Sequence, residues 1–467
     1  MKYPCRSTAH STRQRMAPTT GNAMTRRIAR LLTILLLTMS LATPATAAAS
    51  PGTAQTMPPP PPWLQELDAL YDAGLRVTGL EQRDFAPEHW WEVARPLLAP
   101  ERGFALEEIG RSVEGRPLRH ATWGHGATRV LLWSQMHGDE STGSMALADL
   151  FRFLGEHPDH PLVRRIRDGA TLHFFPIVNP DGAARFQRRN AQGIDLNRDA
   201  RRLASPEGRA LKALYDRVRP DFGFNLHDQQ AGYRVGDTPQ QTAIALLAPP
   251  YDAANSVNAT RRRAMEVAAV IRTTLEPYLH GHIARWDNTF NPRAFGDLTA
   301  QWGSSTVLIE AGGIDGDPQK QKLRKLYFLA LVAALDSIAT GSHAGVDPGL
   351  YSGLPENGEV WPDLRIDRVT VVAPGQPRAQ LDLMIRFHDP LAWKGGTISD
   401  AGDLAEAHAR HVIDAEGLYL LPLGDAPPVP GTPARFRLSR DPEGRDTVWM
   451  IDRDLDPLDP LPGLTGK

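Results

Sequence analysis

The chain has 467 residues, 41% of them hydrophobic and 23% charged, the composition of a soluble globular protein with two or three domains, one large enough to bury a sizeable core. Without residues 1–47, which carry seven basic and no acidic residues, the count is 45 Lys+Arg against 54 Asp+Glu, a formal charge of −9. That balance excludes nucleic acid as a partner and stable association with anionic membranes. The single cysteine, Cys5, lies in the same segment, so the rest of the chain has no disulfide, thiolate ligand or cysteine nucleophile.

Arg26, Arg27 and Arg30 precede the apolar run Leu31–Ala42, and Ala45-Thr46-Ala47 follows. A basic start, a short greasy middle and an A-x-A end predict a secretory signal over residues 1–47. The run falls short of the roughly 20 apolar residues that span a bilayer, so the expected location is secreted or periplasmic. Residues 48–62 hold the run Pro58–Pro62 and read as a stiff, extended linker.

From 63 to 341 the pattern alternates. Strands are predicted at Arg129–Trp133, Leu172–Val178, Phe222–Leu226, Ile244–Leu247 and Thr306–Ile309. Leu147, Leu150, Phe151 and Leu154 mark one face of a helix, and further helices are predicted over Ser205–Arg217, Ala264–Tyr278 and Gln319–Ala339. Alternation of this kind predicts an α/β domain with a central sheet flanked by helices. Residues 342–467 change style. Leu364–Val372, Ala379–Phe387, Gly417–Leu423 and Thr447–Ile451 read as short strands between Pro- and Gly-bearing turns, which predicts a small β-rich accessory domain, with Asp400–His411 as one helix. Arg261-Arg262-Arg263 reads as a solvated helix start.

The chemistry sits at the ends of the predicted strands. His137-Gly138-Asp139-Glu140 follows one buried strand and opens a helix, where open α/β sheets place their sites. Imidazole and carboxylate three residues apart suit Zn²⁺, which as a catalytic ion takes a third protein ligand and keeps an open position. Alone, H-x-x-E also occurs in ordinary surface turns. His227 ends the strand Phe222–Leu226, however, and Glu310 ends Thr306–Ile309. A charged group closing an apolar strand has to be paired, solvated or on a metal. Asp195-Leu196-Asn197-Arg198 adds a planar guanidinium suited to a carboxylate. Four separate segments thus bring functional groups toward what can be one rim.

These phrases resemble the carboxypeptidase A-like zinc peptidases. The resemblance runs from about Ile109 to Leu335 through Ile109–Pro117, Ser134–Glu140, Asn179-Pro180-Asp181-Gly182, Asp195–Arg198, His227 and Glu310, in the family's order. It implies a mixed, twisted central sheet and one zinc ion per chain on His137, Glu140 and His227. Asn197 and Arg198 match the pair that holds a substrate's terminal carboxylate. Arg188 best matches the arginine that polarises the scissile carbonyl, with Arg189 its close rival, and Glu310 matches the general base. The family tyrosine has no secure match; Tyr233 and Tyr251 are candidates. Asp228, where many members carry serine, is a candidate to orient His227 or to alter which substrate fits. Asn291–Asp297 reads as a pocket wall or as a plain loop. The implied reaction is removal of a C-terminal amino acid from a peptide. Hydrolysis of an N-acyl amino acid or a cell-wall peptide amide, and a binding protein that lost catalysis, are the rivals. In each case the partner is a peptide or small amide.

Overall fold

The computed structural model describes residues 57–391, 393–424 and 427–452. The secretory signal and the first part of the linker lie outside the described residues. Ten strands precede residue 361 among those described: β1 (Phe104–Arg111), β2 (Pro117–Gly124), β3 (Thr128–Ser134), β4 (Ala170–Phe175), β5 (Phe222–Asp228), β6 (Tyr233–Val235), β7 (Ile244–Leu247), β8 (Ile283–Arg285), β9 (Ser305–Ala311) and β10 (Asn357–Val360). Eight of them form one mixed sheet in the order β1-β2-β4-β3-β5-β9-β7-β8. The centre, β4-β3-β5-β9, is parallel, while β2 meets β4 and β7 meets β9 antiparallel.

Side-chain alternation decides what each face of this sheet packs against. Val130, Leu132, Phe224, Leu226, Val307 and Ile309 enter the larger core, under the helices Thr142–Glu156, Ala259–Leu279 and Gln321–Thr340. Leu131 and Trp133 face the other way, into a second cluster with Leu211, Leu214 and Phe295 from the helices Pro206–Val218 and Phe295–Gln301. Burial on both faces is why the central strands read as continuous apolar runs. The helix starts are written in the sequence. Ser205 caps Pro206–Val218 by accepting from Gly208 N at 3.0 Å, and Asn258 caps Ala259–Leu279 by accepting from Arg261 N at 2.8 Å.

Two expectations are corrected. Arg261 is not solvated: it is 6% exposed, and its guanidinium donates to the carbonyls of Ala248, Asn255 and Ser256, closing the loop ahead of its helix. Asp400–His411 is not a helix. Strand β13 (Thr397–Gly402) runs into that stretch and β14 (His411–Asp414) leaves it. These belong to a second sheet with β11 (Leu364–Val371), β12 (Ala379–Arg386), β15 (Tyr419–Pro422), β16 (Phe436–Ser439) and β17 (Thr447–Ile451), ordered β13-β12-β11-β15-β16-β17 with β14 also on β11. This sheet has its own core around Leu364, Ile366, Leu383, Phe436 and Trp449. The chain between the sheets stays with the larger one: Leu350, Tyr351 and Leu354 join its core, and β10 pairs with β6. All of this lies in one compact unit.

The amino-terminal helices are tied in by a buried ion pair. Arg324 donates to both carboxylate oxygens of Asp149, at 2.7 and 2.6 Å, and both side chains are fully buried. Asp149 also accepts from Tyr71 Oη and Val77 N, while Arg324 reaches the carbonyls of Val77 and Leu80. Removing one partner strands the other charge without solvent. Asp149→Ala is therefore expected to lower the unfolding free energy by about 3–5 kcal/mol, read as a shift in denaturant midpoint at constant slope. A shift worth less than about 1 kcal/mol would show that the site rehydrates.

Candidate functional site

Strands β3, β5 and β9 are parallel neighbours, so their carboxyl ends share one edge of the sheet. His227 is directly beside Glu310 in the β5–β9 register. Both lie on the face away from the larger core, by the alternation that sends Phe224, Leu226, Val307 and Ile309 inward. Beyond β3 the chain turns through Gln135 in a left-handed conformation, φ 53°, and delivers His137 and Glu140 to the same edge. Gly138 is required at this turn: a Cβ there would stand 2.0 Å from the carbonyl carbon of Gly182. Asn179 locks the contact, donating to the carbonyls of Met136 and Arg188 and accepting from Gly182 N. Asp181 in turn accepts from Ser112 Oγ at 2.7 Å and Arg116 Nη1 at 2.9 Å. The phrases around Ile109–Pro117 and Asn179–Gly182 therefore brace the ligand turn.

His137, Glu140 and His227 are all buried and offer donor atoms within 4.8 Å of one another. Glu140 stands between the imidazoles, Oε1 at 2.7 Å from His137 Nδ1 and Oε2 at 2.6 Å from His227 Nδ1. The other nitrogen of His137, Nε2, lies 3.0 Å from Asp195 Oδ1, so a carboxylate flanks each ring nitrogen. Arg188 Nη1 comes within 3.1 Å of both His137 Nδ1 and Glu140 Oε1. Two imidazoles and a carboxylate converging on such a point fit a zinc ion. Burial opposes charge on His137, yet Glu140 and Asp195 outweigh it and push its pKa up to about 9. Burial also works against the ionised Glu140, but the two histidines hold it well below the usual carboxylate range. Glu310 moves the other way, raised by burial and by the charges of Glu140 and Asp228.

The remaining expected residues line the same cavity, of about 1100 Å³. Asn197 and Arg198 sit on the short turn Leu196–Arg198. Asn197 Oδ1 accepts from Phe295 N at 2.9 Å and its Nδ2 lies 3.3 Å from His227 Nε2. Arg188 also reaches Asp195 at 3.1 Å, whereas Arg189 turns to the carbonyl of Gly193. Glu310 Oε2 is buried with no hydrogen-bond partner among the described residues. Tyr233 lines the cavity, and so do Asn291, Ala294 and Asp297; Tyr251 is not among the lining residues.

Asp228 does not orient His227. Adjacent strand residues point to opposite faces, and Asp228 accepts instead from Thr142 Oγ1 at 2.7 Å and Lys320 Nζ at 2.9 Å. The group that does hold a histidine is Asp195, whose role the sequence reading missed although the residue lies in a quoted motif. Burial works to raise its pKa, but the His137 hydrogen bond together with the charges of His137, Arg188 and Arg198 holds the carboxyl below the ordinary range. Lys320 was missed as well, since only the fold brings it back to β5.

Residues 101–213 match the family model described as zinc carboxypeptidase. An uncharacterized protein of Zymomonas mobilis is 30% identical over 138 residues, 29% of this chain and 36% of that one. A probable carboxypeptidase 2 of Arthroderma benhamiae is 29% identical over 130 residues, 28% of this chain and 24% of that one. Carboxypeptidase SOL1 of Arabidopsis thaliana is 38% identical over 103 residues, 20% and 21% of the two chains. The chain thus spans no more than about a third of the length of these relatives. Losing a partner that orients a metal-ligating histidine typically weakens metal binding by about 10–100-fold. Asp195→Ala is expected to do so here in a chelator-competition titration with zinc, and unchanged affinity would remove Asp195 from the metal site.

Proposed function

We propose that this chain, whose residues 101–213 match the zinc carboxypeptidase family model, removes C-terminal amino acids from peptides, with one zinc ion on His137, Glu140 and His227. The observation that carries the reading is a buried carboxylate oxygen, Glu310 Oε2, without a hydrogen-bond partner among the described residues and held in register beside a histidine of the His-Glu-His cluster. Zinc, when bound, supplies a coordinated water acidified to a pKa of about 7 and a Lewis acid for the carbonyl.

The chain's own groups account for the rest. Arg198, with its guanidinium held by the carbonyl of Asn197, and Asn197 receive the terminal carboxylate of the substrate. Glu310 takes a proton from the attacking water and passes it to the leaving amine. Arg188 turns its guanidinium toward the developing oxyanion. A donor in that position is worth roughly 10²–10³ in rate. The basic-apolar-A-x-A sequence at residues 26–47 supports export to the periplasm or the medium, and among the described residues no helix is long and apolar enough to cross a membrane.

The same groups serve hydrolysis of N-acyl amino acids or of cell-wall peptide amides, so substrates decide between these readings. Incubation with a mixed peptide library, read as mass losses, is expected to give single-residue C-terminal trimming. Release of acyl groups alone supports the deacylase, and no cleavage with zinc bound supports a binding protein. Glu310→Gln is expected to keep stoichiometric zinc and lose about 10²–10⁴-fold in kcat. Full activity in that variant refutes the base assignment.

A further inference from the structure

The second sheet does more than append a domain, because the loop between β12 and β13 enters the cavity that holds the metal cluster. Phe387, His388, Asp389, Pro390 and Leu391 all line that cavity. The tip of this loop is stiffened where Asp389 and Lys394 exchange backbone hydrogen bonds, both at 3.1 Å.

Its anchors reach the chain beside Glu140 and the segment that follows Glu310. On one side Asp389 forms an ion pair with Arg83. Arg83 lies over the Phe186 ring, two residues from Arg188, and its carbonyl accepts from Ser141 Oγ at 2.6 Å, next to Glu140. On the other side Leu391 packs on Gly313, where an added Cβ would stand 3.1 Å from Leu391 Cδ2. Arg410 completes that side, donating to the Pro390 carbonyl at 3.3 Å and to Asp315 at 2.9 Å, five residues beyond Glu310. The segment therefore lines the cavity while tied both to Arg83, whose carbonyl meets Ser141, and to the chain that follows Glu310. The Arg83–Asp389 pair is largely shielded, its side chains 16% and 27% exposed.

From this geometry we infer that Phe387–Leu391 is a strap across the cleft that restricts the substrate class to short peptides. The inference rests on the carboxypeptidase reading. Arg198 takes the C-terminal end beside Asn291–Asp297, so the chain on the amino side of the scissile bond has to leave past the strap. Only a few residues fit before the Arg83–Asp389 contact blocks a continuing polypeptide. Arg83 and Asp389 are specificity determinants here and take no part in proton transfer.

The test is a peptide series with one fixed C-terminal residue, from an N-acyl dipeptide to a twelve-residue chain, turned over by the zinc-loaded full chain. The expected kcat/KM falls at least tenfold from the shortest to the longest member. Asp389→Asn and Arg83→Gln each raise the long-to-short ratio of kcat/KM at least fivefold. The exchange Arg83→Asp with Asp389→Arg returns the ratio toward the parent value, which a general loss of folding would not do. A flat length profile in the parent, or a ratio unmoved in both single variants, overturns the strap and leaves the peptidase reading standing. Zinc-loaded protein that trims no member of the series overturns both.

Discussion

The register of two parallel strands, β5 and β9, is the constraint on which the site depends. It sets His227 and Glu310 side by side at the sheet edge. Alternation then requires both to leave the larger core, because Leu226 and Ile309 fill it. A one-residue slip would put Leu226 beside Glu310 and bury the carboxylate among aliphatic side chains. The slip is resisted along the whole pairing, from Phe222↔Ser305 to Asp228↔Ala311. Packing of the apolar residues thus positions the reactive ones, and the buried helices behind the strands act on the chemistry through register.

Bringing four acids, Glu140, Asp195, Asp228 and Glu310, into a largely buried corner is unfavourable unless their charges are matched. Glu140 meets His137, His227 and Arg188; Asp195 meets His137 and Arg188; Asp228 meets Lys320. Among the described residues Glu310 has no hydrogen-bond partner at Oε2, as Asp228 has none at Oδ1, but Asp228 keeps Lys320 on its other oxygen. A carboxyl so isolated favours its neutral form, while a divalent cation nearby would favour the ionised one. A metal on the His-Glu-His cluster and the proposed base would therefore be coupled through the same field.

Legibility in the sequence followed burial. Strands β3, β5, β7 and β9 were readable because both faces are covered and the text is apolar throughout. The edge strands β1 and β13 mix exposed and half-buried positions and carried no such signal. Asp400–His411 has helix-like composition, but β12 recruits its first residues by pairing Met384 with Asp400 and Leu383 with Ala401. The metal residues were legible as polar groups closing apolar strands. Asp195, Lys320 and the Arg83–Asp389 pair were not, since each acts across a separation in sequence that only the fold closes. Asp228 misled for the opposite reason: adjacency in a strand means opposite faces, so the neighbour of a ligand is poorly placed to serve it.

The ion pair of Arg324 with Asp149 has a bearing on how the chain can be processed. Tyr71, Val77 and Leu80 supply hydrogen bonds to that pair from the amino-terminal arm, and Leu64, Leu67 and Leu75 are buried beside it. An activation peptide that is clipped away has to detach without wounding what remains. This arm is a keystone instead: excising it would take hydrogen-bond partners from the Arg324–Asp149 pair and open that pair and an oily trench to water, so any maturation cut compatible with a folded chain falls ahead of Leu64.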